Sequence, residues 1–587
     1  MKQWILRMKK ADFKAISEKY GISEICARIL RNRDIISDED IDYFLNARVL
    51  DMHSPFLMKD IDKACRIICD AIKDNKSIRV VGDYDIDGVC ATTILIRGLR
   101  ALGARASFRL PHRIKDGYGL NNTIIDEAKE DDVDLIITCD NGIAASEEIR
   151  HAKEIGIEVI ITDHHEIPFV ERKGVKEFII PDALCVINPH QADDNYPYKD
   201  ICGAMVAYKL ILALKMGLEN GSLSNAGKGT ITGELADMLF DFAAFATVGD
   251  VMPLLDENRV AVKYGLRTMK TTKNPGLSAL IDATGIKRDR LSAYHLGFVL
   301  GPCVNAVGRL DSAETALKLF LTDDFGEATI LAKELKETND LRKSIMELKI
   351  KEASDIVESG SDGHDYEKDT VLLLYMKDCH ESLAGLIAGK LKERFTKPAI
   401  VFTDAETGIK GSGRSIDNYD IFAELSKFRD RFIKFGGHPM ACGLTIDKSE
   451  FEGLRRDINQ NSPLKPEDLV DKCYIDIDMP INYISDELIR ELDELAPFGQ
   501  GNPSPLFAQK NLQIVSRKKN AKGNMVTLQL KSGPHGELPE RVMFASMFGN
   551  ADEILNGIQD RSQVTVLYVP EHNDFFDRLQ INIKDIK

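Results

Sequence analysis

Across residues 1–75, apolar side chains fall at three- and four-residue spacing, as in FKAISEKYGISEICARIL and IDKACRIICDAIKD, with no strand-like run. That spacing predicts a helical lead-in. From about residue 77 short β-branched runs alternate with helical stretches: SIRVVGDYD, GVCATTILIRGLRALG, DLIITCD, SEEIRHAKEIG and IEVIITD. Such alternation predicts a parallel sheet with right-handed βαβ crossovers. Helical periodicity resumes at GAMVAYKLILALKMG and runs to about residue 355. Its charged final stretch, 332–354, predicts a long connecting helix.

A second alternation begins at DTVLLLYMKD, passes through a helix at 382–395 and the strand PAIVFT, and reaches ACGLTI at 441–446. It predicts a smaller α/β domain. The polar, proline-bearing NSPLKP at 461–466 marks a linker. Beyond it CYIDIDM, LQIVSRKKN, MVTLQLKS, RVMFASMF, QVTVLYVP and RLQINIK are short strands with one interposed helix. That is the pattern of a small oligonucleotide-binding (OB) β-barrel. The expected fold class is α/β and multidomain. Its units are a helical segment (1–75), a parallel-sheet domain (76–265), a helical connector (266–355), a smaller α/β domain (356–462) and an OB-like domain (466–587).

Composition narrows this picture. At 587 residues the chain exceeds one hydrophobic core, and about three or four compact units are expected. Eleven cysteines, an odd number with no CxxC pair, predict reduced thiols and a cytoplasmic setting. The N-terminal MKQWILRMKKADFK has no apolar run of signal-peptide length, and the apolar stretch 202–217 is interrupted by Lys209 and Lys215. Neither export nor a membrane span is expected. A formal net charge of −16 argues against coating nucleic acid through a general positive field, so any such site must be local. Acids gathered as metal ligands fit that charge, because bound divalent ions reverse the local sign.

The candidate chemistry lies at strand ends. Asp83-Tyr84-Asp85-Ile86-Asp87-Gly88 directly follows the strand IRVV, where a parallel sheet opens into its ligand crevice. Three alternating acids repel one another unless a cation lies among them, although a solvated acidic turn explains this motif equally well when it stands alone. Two further strands end in the same way, IITC at Asp140-Asn141-Gly142 and VIIT at Asp163-His164-His165. A single Asp there is usually a helix cap and a single His is usually structural. Their recurrence at one sheet edge favours a metal site, which Asp250 in FATVGD is placed to close. Carboxylates with one or two imidazoles suit Mn²⁺ or Mg²⁺. Neither His165-Glu166 nor His380-Glu381 completes HExxH, and GxxxxGK[ST] is absent, which excludes a zinc protease of that type and a P-loop engine.

These four segments, Asp-Tyr-Asp-x-Asp-Gly, Asp-Asn-Gly-Ile, Asp-His-His and the later Asp, resemble the motifs of the DHH phosphoesterases. Within that superfamily the chain is similar to the single-strand-specific 5′→3′ exonucleases. The similarity extends through Gly117-Tyr118-Gly119, Asn188-Pro189, Cys202-Gly203-Ala204, Asn305-Ala306-x-Gly308-Arg309-Leu310, Gly413-Arg414-Ser415, Phe435-Gly436-Gly437-His438 and Pro497-Phe498-Gly499-x-Gly501-Asn502-Pro503. The resemblance implies a DHH domain, a long helix, a DHH-associated domain and an OB barrel. It implies two Mn²⁺ or Mg²⁺ ions held by Asp85, Asp87, Asp140, His164 and Asp250, with Asp140 as the bridge and Asp83 as a further ligand. His165 then contacts the phosphate or transition state. Ions so held activate water and stabilise a leaving oxygen. Val81 stands where some phosphoesterases carry a ligating His, and Cys379 where many of these exonucleases carry Trp. The resemblance further implies a monomer that releases mononucleotides from single-stranded DNA in repair and recombination, with a single-strand-binding protein and a RecQ-like helicase as partners.

Gly436-Gly437 permits close backbone approach to a phosphate, with His438 and Arg414 as charged donors. Alone, GGH is a glycine turn; after a helix, before a strand and with Arg414 upstream, it reads as a substrate wall. Asn305 and Arg309 are candidates to grip sugar or phosphate, against the plainer reading of a helix start with one capping residue. Arg517, Lys518, Lys519 and Lys522 form the densest basic patch of the C-terminal region. They are either a solvated strand end or a sequence-independent grip on single strands. Two rivals stand beside the exonuclease. A DHH phosphoesterase for short oligoribonucleotides or cyclic dinucleotides needs no basic barrel, and a replication scaffold without catalysis need not keep every carboxylate and both histidines.

Overall fold

The β-branched runs after residue 76 form five parallel strands, β1 (Ser77–Val81), β2 (Arg105–Arg109), β3 (Leu135–Cys139), β4 (Glu158–Thr162) and β5 (Cys185–Ile187). This computed structural model describes residues 2–113, 115–172, 175–224, 229–556, 558–573 and 576–587. The strand order is β2-β1-β3-β4-β5. It reverses between β1 and β3, which makes their carboxyl ends the switch point where open α/β sheets bind ligands.

The inner strands β3 (LIITC) and β4 (EVIIT) are largely apolar because both sheet faces are covered, whereas the edge strand β2 reads RASFR. Val80, Ile137 and Ile160 pack with helices α1 (Ile86–Ala101), α2 (Gly203–Glu219) and α3 (Gly233–Gly249). The alternate residues Val81, Ile136 and Ile161 face a second core with Ile124 and Ile149. The helical region continues through α4 (Gly301–Leu310) into α5 (Phe325–Ser359), a single helix of 35 residues. That is about 52 Å of rod. Ala328, Ala332 and Leu335 bury in the first domain's core, and Met346, Ala353 and Val357 in the core of the next. One rigid element thus joins the two.

The smaller α/β domain carries helix α6 (Glu381–Phe395) and five strands, β6 (Leu372–Tyr375), β7 (Ala399–Asp404), β8 (Ile409–Arg414), β9 (Phe432–His438) and β10 (Ala441–Ile446). Their order is β9-β10-β8-β7-β6, with only β6 and β7 parallel. Gly436, Gly437 and His438 do not lie between a helix and a strand, as the sequence suggests. They end β9 and pair with Gly443, Cys442 and Ala441 in a hairpin. Glycines hide a strand from periodicity because they contribute no side chain to alternate.

The C-terminal strands β11 (Phe507–Lys519), β12 (Met525–Ser532), β13 (Arg541–Phe548), β14 (Gln563–Asn573) and β15 (Arg578–Ile586) close into a barrel, with β14 pairing back onto β11. The stretch CYIDIDM splits. Ile477–Asp478 pairs with β11, whereas Lys472–Ile475 pairs in parallel with Gln3–Leu6, outside the barrel. The expectation of no strand in residues 1–75 is corrected by that pairing. A four-residue strand with its partner at the other end of the chain leaves no periodic signal. The helices Glu24–Asn32 and Asp38–Asn46 bury Ile29, Leu30, Ile41 and Phe44 in one core with Leu488, Phe507 and Val566. The N-terminal helices are therefore part of the barrel's packing. No helix among the described residues is long and apolar enough to cross a membrane, and all eleven cysteines are free thiols.

Candidate metal centre and its opposing wall

The loop leaving β1 turns directly into α1. Asp85 caps that helix, its Oδ1 accepting the N–H groups of Asp87 at 2.9 Å and Gly88 at 3.2 Å. Asp87 lies in the first turn, and Asp83 is buried one residue ahead of Tyr84. Asp140 follows β3 with φ of 61°, a left-handed conformation that Asp tolerates better than most residues. His164 and His165 follow β4, and Asp250 caps the C-terminus of α3. These residues converge. His164 Nε2 lies 3.1 Å from Asp140 Oδ1, 3.5 Å from Asp87 Oδ2 and 3.8 Å from Asp250 Oδ2. Three sets have ligand atoms within 4.8 Å of one another: Asp83, Asp85 and Asp140; Asp87, His164 and Asp250; Asp140, His164 and His165.

The electrostatics are those of a site built around positive charge. Burial holds the carboxyls of Asp83, Asp85 and Asp140 above the usual carboxylate range, and their mutual repulsion adds to it. Asp250 is pushed up to about 9 by burial and by Asp87 and Asp85. Burial lowers the His164 pKa, which favours the neutral imidazole that ligates metals. Asp83 Oδ1 is buried without a hydrogen-bond partner. A hard oxygen-rich donor set with one imidazole, an orphaned carboxylate oxygen and unrelieved like charge fit Mn²⁺ or Mg²⁺.

Asp163 supplies a role that the sequence left unassigned. Its Oδ1 accepts from His165 Nδ1 at 2.7 Å and from the His164 N–H at 2.7 Å, and its Oδ2 accepts the Ile143 N–H at 2.9 Å. Burial alone would lower the His165 pKa, but the bond and charge of Asp163 raise it to about 9. Tyr118, from Gly117-Tyr118-Gly119, donates to the Asp140 carbonyl at 2.8 Å and touches His165.

The other sequence candidates divide. Asn305 Oδ1 accepts the Ile86 N–H at 2.8 Å, so it anchors the start of α1. Arg309 donates to the Ser382 carbonyl at 2.9 Å, tying α4 to the smaller domain. Its pKa falls to about 10 through burial and the like charges of Arg113, Arg342 and Arg414. Arg113 lies over the Tyr84 ring at 4.7 Å, and Arg414 rests against Gly385 of α6. None of these four arginines has a carboxylate partner among the described residues. Burial and then Arg414 lower the pKa of His438, placing it beside the same group. Gly436 lies on the exposed β9 edge beside it. Arg113 and Arg342 were not recognisable from sequence, since isolated arginines carry no motif.

The barrel's basic patch is partly neutralised. Arg517 pairs with Asp560 at 3.2 Å and Lys519 with Asp552 at 2.9 Å, whereas Lys518 and Lys522 are exposed without an ion-pair partner among the described residues.

The doubly covered parallel sheet and its Asp/His cluster define a phosphoesterase of the DHH type, and residues 77–240 match the DHH family, N-terminal domain. Residues 368–461 match the DHHA1 domain and residues 475–585 the RecJ OB domain. The chain belongs to the RecJ family of single-stranded-DNA-specific exonucleases. It is 34% identical to the RecJ exonuclease of Bacillus subtilis over all of this chain and 70% of that protein. It is 34% identical to the Salmonella typhimurium enzyme over 90% of each. Its fold matches the crystal structure of RecJ in complex with Mn²⁺ from Thermus thermophilus, with TM-score 0.80 and 26% identity, over all of this chain and 79% of that one.

Proposed function

We propose that this chain degrades single-stranded DNA from the 5′ end and releases mononucleotides, holding two Mn²⁺ or Mg²⁺ ions on Asp83, Asp85, Asp87, Asp140, His164 and Asp250. One observation carries the reading: an acidic, imidazole-bearing cluster at the sheet's switch point stands near Arg113 and Arg309, whose charges interact with Asp83 and Asp85 and which have no ion-pair partner among the described residues. Asp140 and His164 each belong to two of the three ligand sets, and Asp140, with two carboxylate oxygens, would be the residue able to serve both ions. When bound, divalent ions on these residues would supply activation of water and charge stabilisation of the leaving oxygen. His165, held by Asp163, donates to a phosphate oxygen at the rim. Arg113, Arg309, Arg342 and Arg414 bind phosphate, with Gly436, Gly437 and His438 on the same wall. Asn305 contributes by fixing the start of α1 instead of gripping the strand. Arg517, Lys518, Lys519 and Lys522 steer the strand at the barrel, with Lys518 and Lys522 the freest to do so.

This role belongs to DNA repair and recombination in the cytoplasm, a setting that eleven free thiols suit. A single-strand-binding protein and a RecQ-like helicase are its natural partners there, and the enzyme acts as a monomer. The test is digestion of 5′- and 3′-labelled single strands and duplexes with Mn²⁺, by the wild type and Asp140→Ala. The expected result is early release of the 5′ label from single strands, lost in the variant while strand binding persists. Undiminished hydrolysis by Asp140→Ala would remove the metal assignment, and early release of the 3′ label would reverse the polarity.

A further inference from the structure

A cleft of 670 Å³ lies between the first domain and the Pro497-Phe498-Gly499 loop. Its lining contains no Asp, Glu, Lys, Arg or His. Its lining includes Gly249 and Val251, the chain neighbours of Asp250 on either side. Tyr294 and Phe298 project at its edge, 63% and 68% exposed, with their rings stacked at 5.2 Å and 26°. Two large rings held in register and left to solvent are unexplained by core packing.

Both rings sit on one continuous helical run. Ala293–His295 leads through a π-turn at Leu296–Leu300 into α4, which carries Asn305 and Arg309. Such π-turns concentrate at functional sites. Tyr294 and Phe298 thus stand one turn apart at the outer end of the same helical run that carries Asn305 and Arg309 at its inner end. Phe298 is about 10 Å along the axis from Asn305, the length of about three bases stacked at about 3.4 Å.

We propose that this stacked aromatic pair and the cleft beside it form a base-stacking track, on which nucleobases a few positions from the scissile phosphate lie against Phe298 and Tyr294. The inference rests on the single-strand reading above and names how the strand approaches its site. Stacking accepts any base, because every base has a π-face. An uncharged cleft suits bases and leaves the phosphates turned to solvent. In a chain of net charge −16, it also keeps like charge away from the strand. Gly249 and Val251 of its lining flank Asp250, which brings the cleft to the edge of the metal centre.

The test uses the full-length protein in EDTA and single strands of about twelve nucleotides, with 2-aminopurine placed singly at successive positions from the 5′ end. Bound wild type is expected to change the fluorescence most at positions a few nucleotides from the end. Tyr294→Ala/Phe298→Ala is expected to lose that signal and to bind the strand at least about tenfold more weakly. Tyr294→Phe/Phe298→Tyr should restore both. The loss should be smaller for a dinucleotide, which is too short to reach the rings. Equal signal and affinity in the alanine variant would overturn the track while leaving the exonuclease reading intact. A wild type that binds no single strand would instead overturn that reading. The rings are exposed, so their truncation opens no cavity, and an unchanged melting temperature separates lost stacking from lost folding.

Discussion

The Gly203 N–H lies 2.6 Å from Oδ2 of Asp87, and the next amide, Ala204, reaches the other carboxylate oxygen at 2.8 Å. The N-terminus of α2 thus grips both oxygens with charge-assisted bonds and its dipole. Position 203 admits no side chain, because a Cβ there would come within 2.7 Å of the Asp140 Cβ and 3.0 Å of Asp87 Oδ2. Gly203→Ala is therefore expected to push apart two carboxylates of the cluster. A displacement near 1 Å costs about a hundredfold in rate. Steady-state hydrolysis with Mn²⁺ checks this, and a wild-type rate would show that the loop absorbs the methyl group.

Asp163→Asn tests the orientation of His165. The wild-type carboxylate accepts the His165 ring N–H and three backbone N–H groups, those of Ile143, His164 and His165. An amide cannot accept at both of its ends, so at least one bond is lost. Groups of this kind behind a metal site are worth about ten- to a hundredfold. That loss is expected in kcat at saturating Mn²⁺. An unchanged kcat would mean that packing against Tyr118 alone orients the ring.

The sequence made the sheet legible because Val80, Ile137 and Ile160 belong to short β-branched runs, and it made the Asp/His cluster visible because its members recur at strand ends. It predicted the connecting helix as 332–354, where the structure extends it to Phe325–Ser359. What stayed hidden depends on distant encounters. Gln3–Leu6 is a strand only because Lys472–Ile475 lies beside it. Arg113 and Arg342 gain meaning only beside Arg309. Asp163 was visible as part of a motif, but which way its carboxyl turns is decided by the Ile143 amide from a different loop.

Arg259 holds the N-terminal and C-terminal parts against the first domain. It is 2% exposed, and its guanidinium donates to the carbonyls of Phe44 at 2.9 Å, Leu495 at 2.9 Å and Glu494 at 3.2 Å. It also lies 3.7 Å over the Phe44 ring. Arg259→Met keeps much of the volume but strands three carbonyls. At about 1 kcal/mol or more for each acceptor left unpaired, a loss of about 3 kcal/mol is expected. Limited proteolysis should then cut residues 1–50 or the 494–506 loop faster than in the wild type. Equal cleavage rates would mean the junction is held by its apolar contacts alone.

Asp241 offers a pH test away from the metal centre. It is buried in α3, where its Oδ1 accepts the Thr268 hydroxyl. Burial raises its pKa from 3.8 to about 6, against the opposing effect of that hydrogen bond. The folded state therefore keeps the proton to a higher pH than the unfolded chain. The group costs nothing below the unfolded value, its cost grows as pH rises from about 4 to 6, and it is constant above. Its ceiling is about 3 kcal/mol, from 1.36 kcal/mol per pKa unit. Asp241→Asn keeps the acceptor for Thr268 and removes the buried charge. The variant is expected to unfold at higher urea than the wild type at pH 8, with the advantage shrinking as pH falls toward 4. An equal or lower midpoint at pH 8 would show that water or local rearrangement already solvates the wild-type carboxylate.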